Sequence, residues 1–277
     1  MSLYISKMLH NNYLDKNSEK LCDTFYKKGH LIFDINNVTG LDEIKKEIFL
    51  HVKKKYLKSD IDLNTFFEKT DTYIKKDQIN NLRMDIYSFL NSQTWFRPTY
   101  YSFCKNVLDM FVGNELAMQN AINLSVVMPN DDGSILKMHA DTYTGETPFQ
   151  VVVWIPLVSV EKTNSLFIAT KQDTMKINKV FPTFKNGFKD VEKKLKNKIN
   201  YLKVNYGQGV IFTPNIFHGS NLNKTKNTRW SFNTRYTGLF TPYSNYEGNE
   251  KKLGSFYQPI TVKAVSKMGL EFEEPEF

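Results

Sequence analysis

Cysteine is nearly missing from this chain: the 277 residues include only Cys22 and Cys104. Two isolated thiols do not make a disulfide framework, and they suit a reducing cytoplasm. Long apolar runs are missing too. None approaches the roughly 20 residues that span a bilayer, so no transmembrane segment is expected. The opening Met1-Ser2-Leu3-Tyr4-Ile5-Ser6-Lys7 has no basic flank followed by an apolar stretch, so no signal peptide is read there. Internal repeats and low-complexity tracts are absent. No nucleic-acid motif accompanies the basic residues, so neither DNA nor RNA is expected as a partner. What is present, 41% hydrophobic, 24% charged and 14% aromatic residues, is the composition of an ordinary globular protein.

Positive charge is in surplus. The net charge is +8, from 37 basic and 29 acidic residues. The excess gathers in Lys53-Lys54-Lys55 and in the segment 185–198. Solvated helix faces account for such runs. The alternative is attraction of an anionic partner: a phosphorylated metabolite, a nucleotide-linked sugar or a membrane surface.

The chain changes character near Gly113. Before it, helices are expected over about 15–26, from an Asp42 N-cap to about Tyr56, over 78–91 and over 99–112. Gly29 ends the first of these, and His30-Leu31-Ile32-Phe33 reads as a short strand. After Gly113, short apolar runs at 121–128, 149–158, 166–169, 210–213 and 229–237 alternate with turn residues. That pattern indicates a sandwich, jelly roll or barrel. The expected organisation is one domain over 1–277. Residues 1–112 form a mainly helical support and 113–240 the strand-rich core, with a Lys-rich, partly helical insertion at about 181–200. Residues 241–277 form a C-terminal extension whose acidic end, from Glu271, reads as loose.

Chemistry concentrates in the second half. In His139-Ala140-Asp141, side chains two apart on an extended chain point to one face, so an imidazole and a carboxylate converge. Of the five histidines, His10, His30, His51, His139 and His218, only His218 lies far downstream among the strands. Two histidines and one carboxylate on one face of an octahedron leave three positions open, the ligand set of non-haem iron(II) oxygenases. Each residue also has a plainer reading: a surface His near an Asp, and a strand-end His with a satisfied hydrogen bond.

The segment 229–236 splits by alternation. Arg229, Ser231, Asn233 and Arg235 share one face; Trp230, Phe232, Thr234 and Tyr236 share the other. The polar face suits either solvent or a polar cavity. The turn-rich stretch 221–227 suits a hairpin loop, which would stand Arg229 on the strand beside His218. A guanidinium grips a carboxylate through two parallel hydrogen bonds, and the distal carboxylate of 2-oxoglutarate needs such an anchor.

These stretches resemble the phytanoyl-CoA dioxygenase-like branch of the iron(II)/2-oxoglutarate oxygenases. Phe25 to Ile32 looks like the family's N-terminal strand entry. His139-Ala140-Asp141 matches its metal tripeptide. Gln150 to Leu157 is similar to the strand that follows. His218-Gly219-Ser220, then Asn223, then Arg229 eleven residues after the histidine, matches the distal motif. The resemblance implies a double-stranded β-helix (a cupin-like jelly roll, mainly β with flanking helices) with the helical N-terminal region packed outside. It implies iron bound by His139, Asp141 and His218, 2-oxoglutarate held by Arg229 with support from Ser220, and oxygen as the third reactant. The expected course is decarboxylation of 2-oxoglutarate to succinate with hydroxylation of a substrate C–H bond. Asp141 argues against a halogenase, in which halide occupies the carboxylate's place. The segment Thr163 to Ile168 departs from the family's Gly-x-Leu pattern, which leaves the substrate-side loop open.

Further candidates are polar residues near this centre. Asn123, like Ser125 on its strand face, and Ser231 are candidates for the co-substrate. Arg235, Gln150, Trp154 and Lys137 are candidates for the substrate. Ordinary strand polar residues, a core tryptophan, a solvated lysine and an outward salt bridge are the alternatives. The substrate class suggested is a small anionic or sugar-containing metabolite. A carbohydrate-binding jelly roll without chemistry, or a metal-dependent isomerase or hydrolase on a similar barrel, are the competing functions.

Overall fold

The structure, a computed structural model, describes residues 14–57, 60–244 and 250–273. The readings at His10, at the N-terminal segment and at the last residues of the acidic tail lie outside the described residues.

Among the described residues, ten strands form two antiparallel sheets. They are β1 (His30–Asp34), β2 (Leu116–Gln119), β3 (Asn123–Val127), β4 (Gln150–Pro156), β5 (Phe167–Ala169), β6 (Ile199–Tyr201), β7 (Gln208–Phe212), β8 (His218–Gly219), β9 (Arg229–Gly238) and β10 (Tyr257–Thr261). The larger sheet runs β1-β7-β4-β9-β2-β10, and β3 pairs with the first half of β9. The smaller runs β6-β5-β8, and a bridge between His139 and His218 extends it. This is the jelly roll with flanking helices.

Period-2 patterning decides which face does what. On β9 the apolar set faces the helical layer. Trp230 packs against Phe66 and Phe67 and donates its indole N–H to the Thr70 hydroxyl at 2.8 Å. Phe232 meets Phe96 and Tyr100 edge-on. The Tyr100 hydroxyl donates to the Val153 carbonyl. The helices answer with 3.6-residue stripes: Leu41, Ile44, Ile48 and Val52 in Val38–Lys55, Leu82, Ile86 and Leu90 in Ile79–Asn91, and Tyr100, Cys104 and Leu108 in Phe96–Phe111. Burial of such side chains at about 1.5–3 kcal/mol each fixes the helical layer on the sheet. The other face of β9 is left polar and looks into the roll.

Several local expectations change. The helix Val38–Lys55 is capped by Asn37, whose side chain accepts from the Gly40 N–H at 2.9 Å; Asp42 lies inside it. Gly40 needs the space, because a Cβ there would come within 2.7 Å of the Asn37 side chain. Lys53, Lys54 and Lys55 fill that helix's last turn, where cations oppose the macrodipole's negative end. The short helices Leu63–Glu68 and Thr70–Tyr73, β2 and β10 were not legible as elements. The Lys-rich stretch carries the helix Phe188–Leu195 and leads into β6. Most consequentially, 221–228 is not a hairpin: it carries the chain from β8 in the small sheet to β9 in the large one. Buried Asn223 holds this crossing, donating to the Val127 and Asn227 carbonyls and accepting from the Thr225 N–H and hydroxyl. Among the described residues, no helix is long and apolar enough to cross a membrane.

Candidate active site

The crossing puts the two halves of the distal motif on opposite walls of one cavity. His218 comes from the small sheet and Arg229 from the large one. His139 and His218 exchange both backbone hydrogen bonds, at 3.0 and 2.9 Å, so the tripeptide is bolted to the distal motif by the main chain. Ala140 is extended and Asp141 opens a 3-10 turn. Gly219 allows this closeness: a Cβ would lie 2.6 Å from the Leu136 carbonyl oxygen.

The side chains converge. His139 Nε2 is 3.2 Å and His218 Nε2 3.7 Å from Asp141 Oδ1. One ligand atom from each of the three residues falls within 4.8 Å of the others. Each imidazole is oriented from behind: Nδ1 of His139 meets the Lys137 carbonyl at 2.8 Å and Nδ1 of His218 meets the Ile216 carbonyl at 3.0 Å. A carbonyl only accepts, so each Nδ1 is the donor and, in the neutral ring, each Nε2 presents a lone pair. Two lone pairs and a carboxylate oxygen therefore point at one small space. Acceptors brought together repel unless a cation, or a proton shared between a ring and the carboxylate, sits among them. Burial pulls His218 down to about 4 despite the charge of Asp141, so it is neutral at physiological pH. Burial opposes the charge of Asp141 as well. The hydrogen bond with His139 and the neighbouring charges, Arg235's among them, nevertheless hold its carboxyl well below the usual range.

Asp141 Oδ2 is taken by Arg235 Nη2 at 2.9 Å. Arg235 also reaches Glu146 through Nε at 3.3 Å and donates to Gln119 through Nη1. Glu146 in turn holds Lys251 at 3.0 Å and accepts from the Tyr257 hydroxyl. Sequence reasoning missed Glu146, Lys251 and Tyr257; no local motif marks them, because the network spans β9, β10 and two loops.

Arg229 is different. Its guanidinium is buried with no carboxylate in reach among the described residues. Its Nη atoms make only long contacts, 3.5 Å to the Asn164 carbonyl and 3.4 Å to the Ser125 hydroxyl, and Nε has no partner. Burial without a counter-ion pulls it down to about 10. Ser231, opposite Ser125 in the β3–β9 register, has a buried hydroxyl without a partner. An orphaned cation and hydroxyl in the interior are costly unless a ligand completes them.

A cavity of about 590 Å³ joins the His-Asp-His cluster to Arg229; Ser231 is not among the residues that line it. His139, Asp141, His218, Ser220, Arg229 and Asn233 line it, as do Asn123, Ser125 and Trp154. Asn123 donates to the Asn233 side chain at 2.9 Å, and the Ser220 hydroxyl accepts from the Leu136 N–H. Three substrate-side expectations change. Lys137 is exposed and contributes its carbonyl to His139 instead of its ammonium to the cavity. Gln150 is buried behind the cavity, bonded to the Tyr257 hydroxyl. Arg235 lines the cavity, but two carboxylates already hold its guanidinium.

Comparison with known proteins agrees with this geometry. The family model for phytanoyl-CoA dioxygenase (PhyH) matches residues 20–231. No curated protein matches the sequence. Among solved structures, EctD from S. alaskensis with 2-oxoglutarate and 5-hydroxyectoine superposes with a TM-score of 0.56 at 14% identity, over 85% of this chain and 82% of that one. The nickel complex of the non-heme monooxygenase ThoJ gives 0.54 at 14% identity, over 89% and 85%. HygX from Streptomyces hygroscopicus, with nickel and 2-oxoglutarate bound, gives 0.50 at 10% identity, over 83% and 89%. At these identities the structures share the fold, and the family match carries the chemistry. The chain belongs to the phytanoyl-CoA dioxygenase family and is an iron(II)- and 2-oxoglutarate-dependent oxygenase.

Proposed function

We propose that His139 and His218, through Nε2, and Asp141, through Oδ1, hold the iron, and that Arg229 pairs with the distal carboxylate of 2-oxoglutarate. The enzyme then hydroxylates a small polar or anionic metabolite in the cavity, with a sugar-containing compound as the narrower reading. The single observation that carries this is Arg229, a buried guanidinium with no acidic partner on a wall of the cavity that holds the three metal-type ligands. A carbohydrate-binding jelly roll or a hydrolase has no use for that cation.

Iron(II) with 2-oxoglutarate, when bound, supplies the oxidising chemistry: one oxygen atom enters the substrate, the other enters succinate, and carbon dioxide leaves. The chain supplies the rest. Backbone carbonyls of Lys137 and Ile216 hold the imidazoles in the tautomer that offers Nε2. Arg235 keeps Asp141 ionised and aims its free oxygen. Ser231, opposite Ser125 and with its hydroxyl unpartnered, is a further donor for the carboxylate that Arg229 holds, and Ser125, Asn123 and Ser220 give the cavity polar walls. Trp154, Leu166 and Phe212 give it apolar ones that displace water. The free thiols Cys22 and Cys104 suit a cytoplasmic setting.

The test is spectroscopic. Iron(II) and 2-oxoglutarate added without oxygen should produce a weak visible charge-transfer band in the wild type and none in His218→Ala. A band that survives His218→Ala would refute the ligand assignment. Metabolites that stimulate succinate release would then define the substrate.

A further inference from the structure

The cavity has a second cationic wall, contributed by the N-terminal helical layer. Lys76, Ile79, Asn80 and Arg83 line it. These positions are three and four apart, so the turn before the helix Ile79–Asn91 and its first turns present one face to the rim of the cavity, where Lys76 and Asn80 are exposed and Arg83 half-buried. Arg83 donates from Nη2 to the Asn80 side chain at 2.7 Å, and Lys76 donates to the Asn130 carbonyl at 2.6 Å. Both partners are neutral. They orient the two cations without cancelling their charge, and neither cation has a carboxylate within ion-pair distance among the described residues.

The charges that line the cavity do not balance. Four cations line the cavity, Lys76, Arg83, Arg229 and Arg235, against two carboxylates, Asp131 and Asp141. Glu146 and Lys251, behind Arg235, offset one another. Iron(II) adds two positive charges and the 2-oxoglutarate dianion removes two. Asp141 answers Arg235, and the co-substrate answers Arg229. The loaded cavity thus keeps a surplus of two positive charges, and Arg83 and Lys76 are the lining cations that neither Asp141 nor the co-substrate answers. A planar fork beside a point charge suits a tetrahedral dianion.

Resting on the function proposed above, we propose that Arg83 and Lys76 form a subsite for a phosphate group carried by the substrate. A phosphate monoester has a charge of about −2 at neutral pH, which matches the surplus. The subsite would select phosphorylated or nucleotide-linked metabolites over neutral ones.

The test uses the full chain loaded anaerobically with iron(II) and 2-oxoglutarate, titrated calorimetrically with inorganic phosphate and, separately, with acetate. The wild type should bind phosphate in the millimolar range and acetate far more weakly. The variant R83Q/K76Q should lose about tenfold or more in phosphate affinity, the worth of charge-assisted hydrogen bonds, while keeping the wild-type charge-transfer band and circular dichroism. No phosphate binding, unchanged binding in the variant, or acetate binding equal to phosphate would overturn the proposal. So would phosphate that displaces 2-oxoglutarate, because that places it at Arg229. A wild type that gives no charge-transfer band marks failure of the iron reading instead, so the two failures are distinct.

Discussion

Arg235 Nη2 lies 2.9 Å from Asp141 Oδ2, while Asp141 Oδ1 faces both histidines. One carboxylate is thus divided between a guanidinium and the space between two imidazoles. Arg235 Nε then reaches Glu146 at 3.3 Å, which ties the Asp141 carboxylate to strand β10 through Tyr257. A residue on the polar face of β9 that reads as a substrate contact lines the cavity with its guanidinium already held by two carboxylates.

Arg235→Gln should weaken iron binding by about 10–100-fold, the usual effect of removing such a supporting partner. At saturating iron the KM for 2-oxoglutarate should stay near wild type. The variant also leaves Asp141 buried without its guanidinium and Glu146 with Lys251 alone, so its thermal midpoint should fall. Iron titration followed by kinetics separates the two effects; an unchanged iron affinity would remove Arg235 from the metal's support.

Arg229→Met should divide stability from function. The guanidinium is buried and unpaired, so replacing it with an apolar side chain should leave the ligand-free protein as stable or more so, by about 1–3 kcal/mol. The same variant should lose thermal stabilisation by 2-oxoglutarate, which for the wild type is about 2.7 kcal/mol at a hundred times Kd. Thermal unfolding with and without co-substrate checks both halves. A ligand-dependent shift equal to wild type would contradict the assigned role.

Gly219→Ala should disrupt the centre without touching a ligand. The added methyl group meets the Leu136 carbonyl at 2.6 Å and the Phe167 ring at 2.8 Å, so the His139–His218 bridge must open. We expect a loss of about 1–3 kcal/mol in stability, typical of overpacking, together with weaker iron binding. Normal iron affinity in a destabilised protein would mean the bridge does not set ligand geometry.

Acid should unfold the metal-free protein through this site. His218 titrates near 4 in the fold because burial disfavours its charge. Unfolded, it titrates near 6.5, so the unfolded chain binds the extra proton between those values. Stability is therefore complete above about pH 6.5 and falls as pH drops towards 4, by roughly 3 kcal/mol for this one group. Asp141, held low, adds a loss of the same sign below the usual carboxylate range. Denaturant unfolding from pH 7 to 4 should show the decline, and His218→Asn should flatten it.

The sequence carried the core of this picture because its signals were local. Residues 139–141 and 218–229 contain the candidate ligands and Arg229, and strict alternation over 229–236 separated the polar interior of the roll from the aromatic face under the helices. What it concealed was relational. The stretch 221–228 has a hairpin's turn residues, yet it crosses between sheets, because buried Asn223 satisfies its backbone from within. Arg235 and Arg229 look alike six residues apart; only the distant Glu146 and Asp141 distinguish them. Arg83 and Lys76 sit in an ordinary amphipathic helix start, and nothing local says that this helix walls the cavity.

Anomalous scattering at the iron edge, from crystals grown without oxygen in iron(II) and 2-oxoglutarate, tests the central claim most directly. The account predicts one iron peak at bonding distance from Nε2 of His139, Nε2 of His218 and an oxygen of Asp141, with a carboxylate of 2-oxoglutarate against Arg229. Iron bound elsewhere, or a co-substrate whose distal carboxylate avoids Arg229, would contradict it.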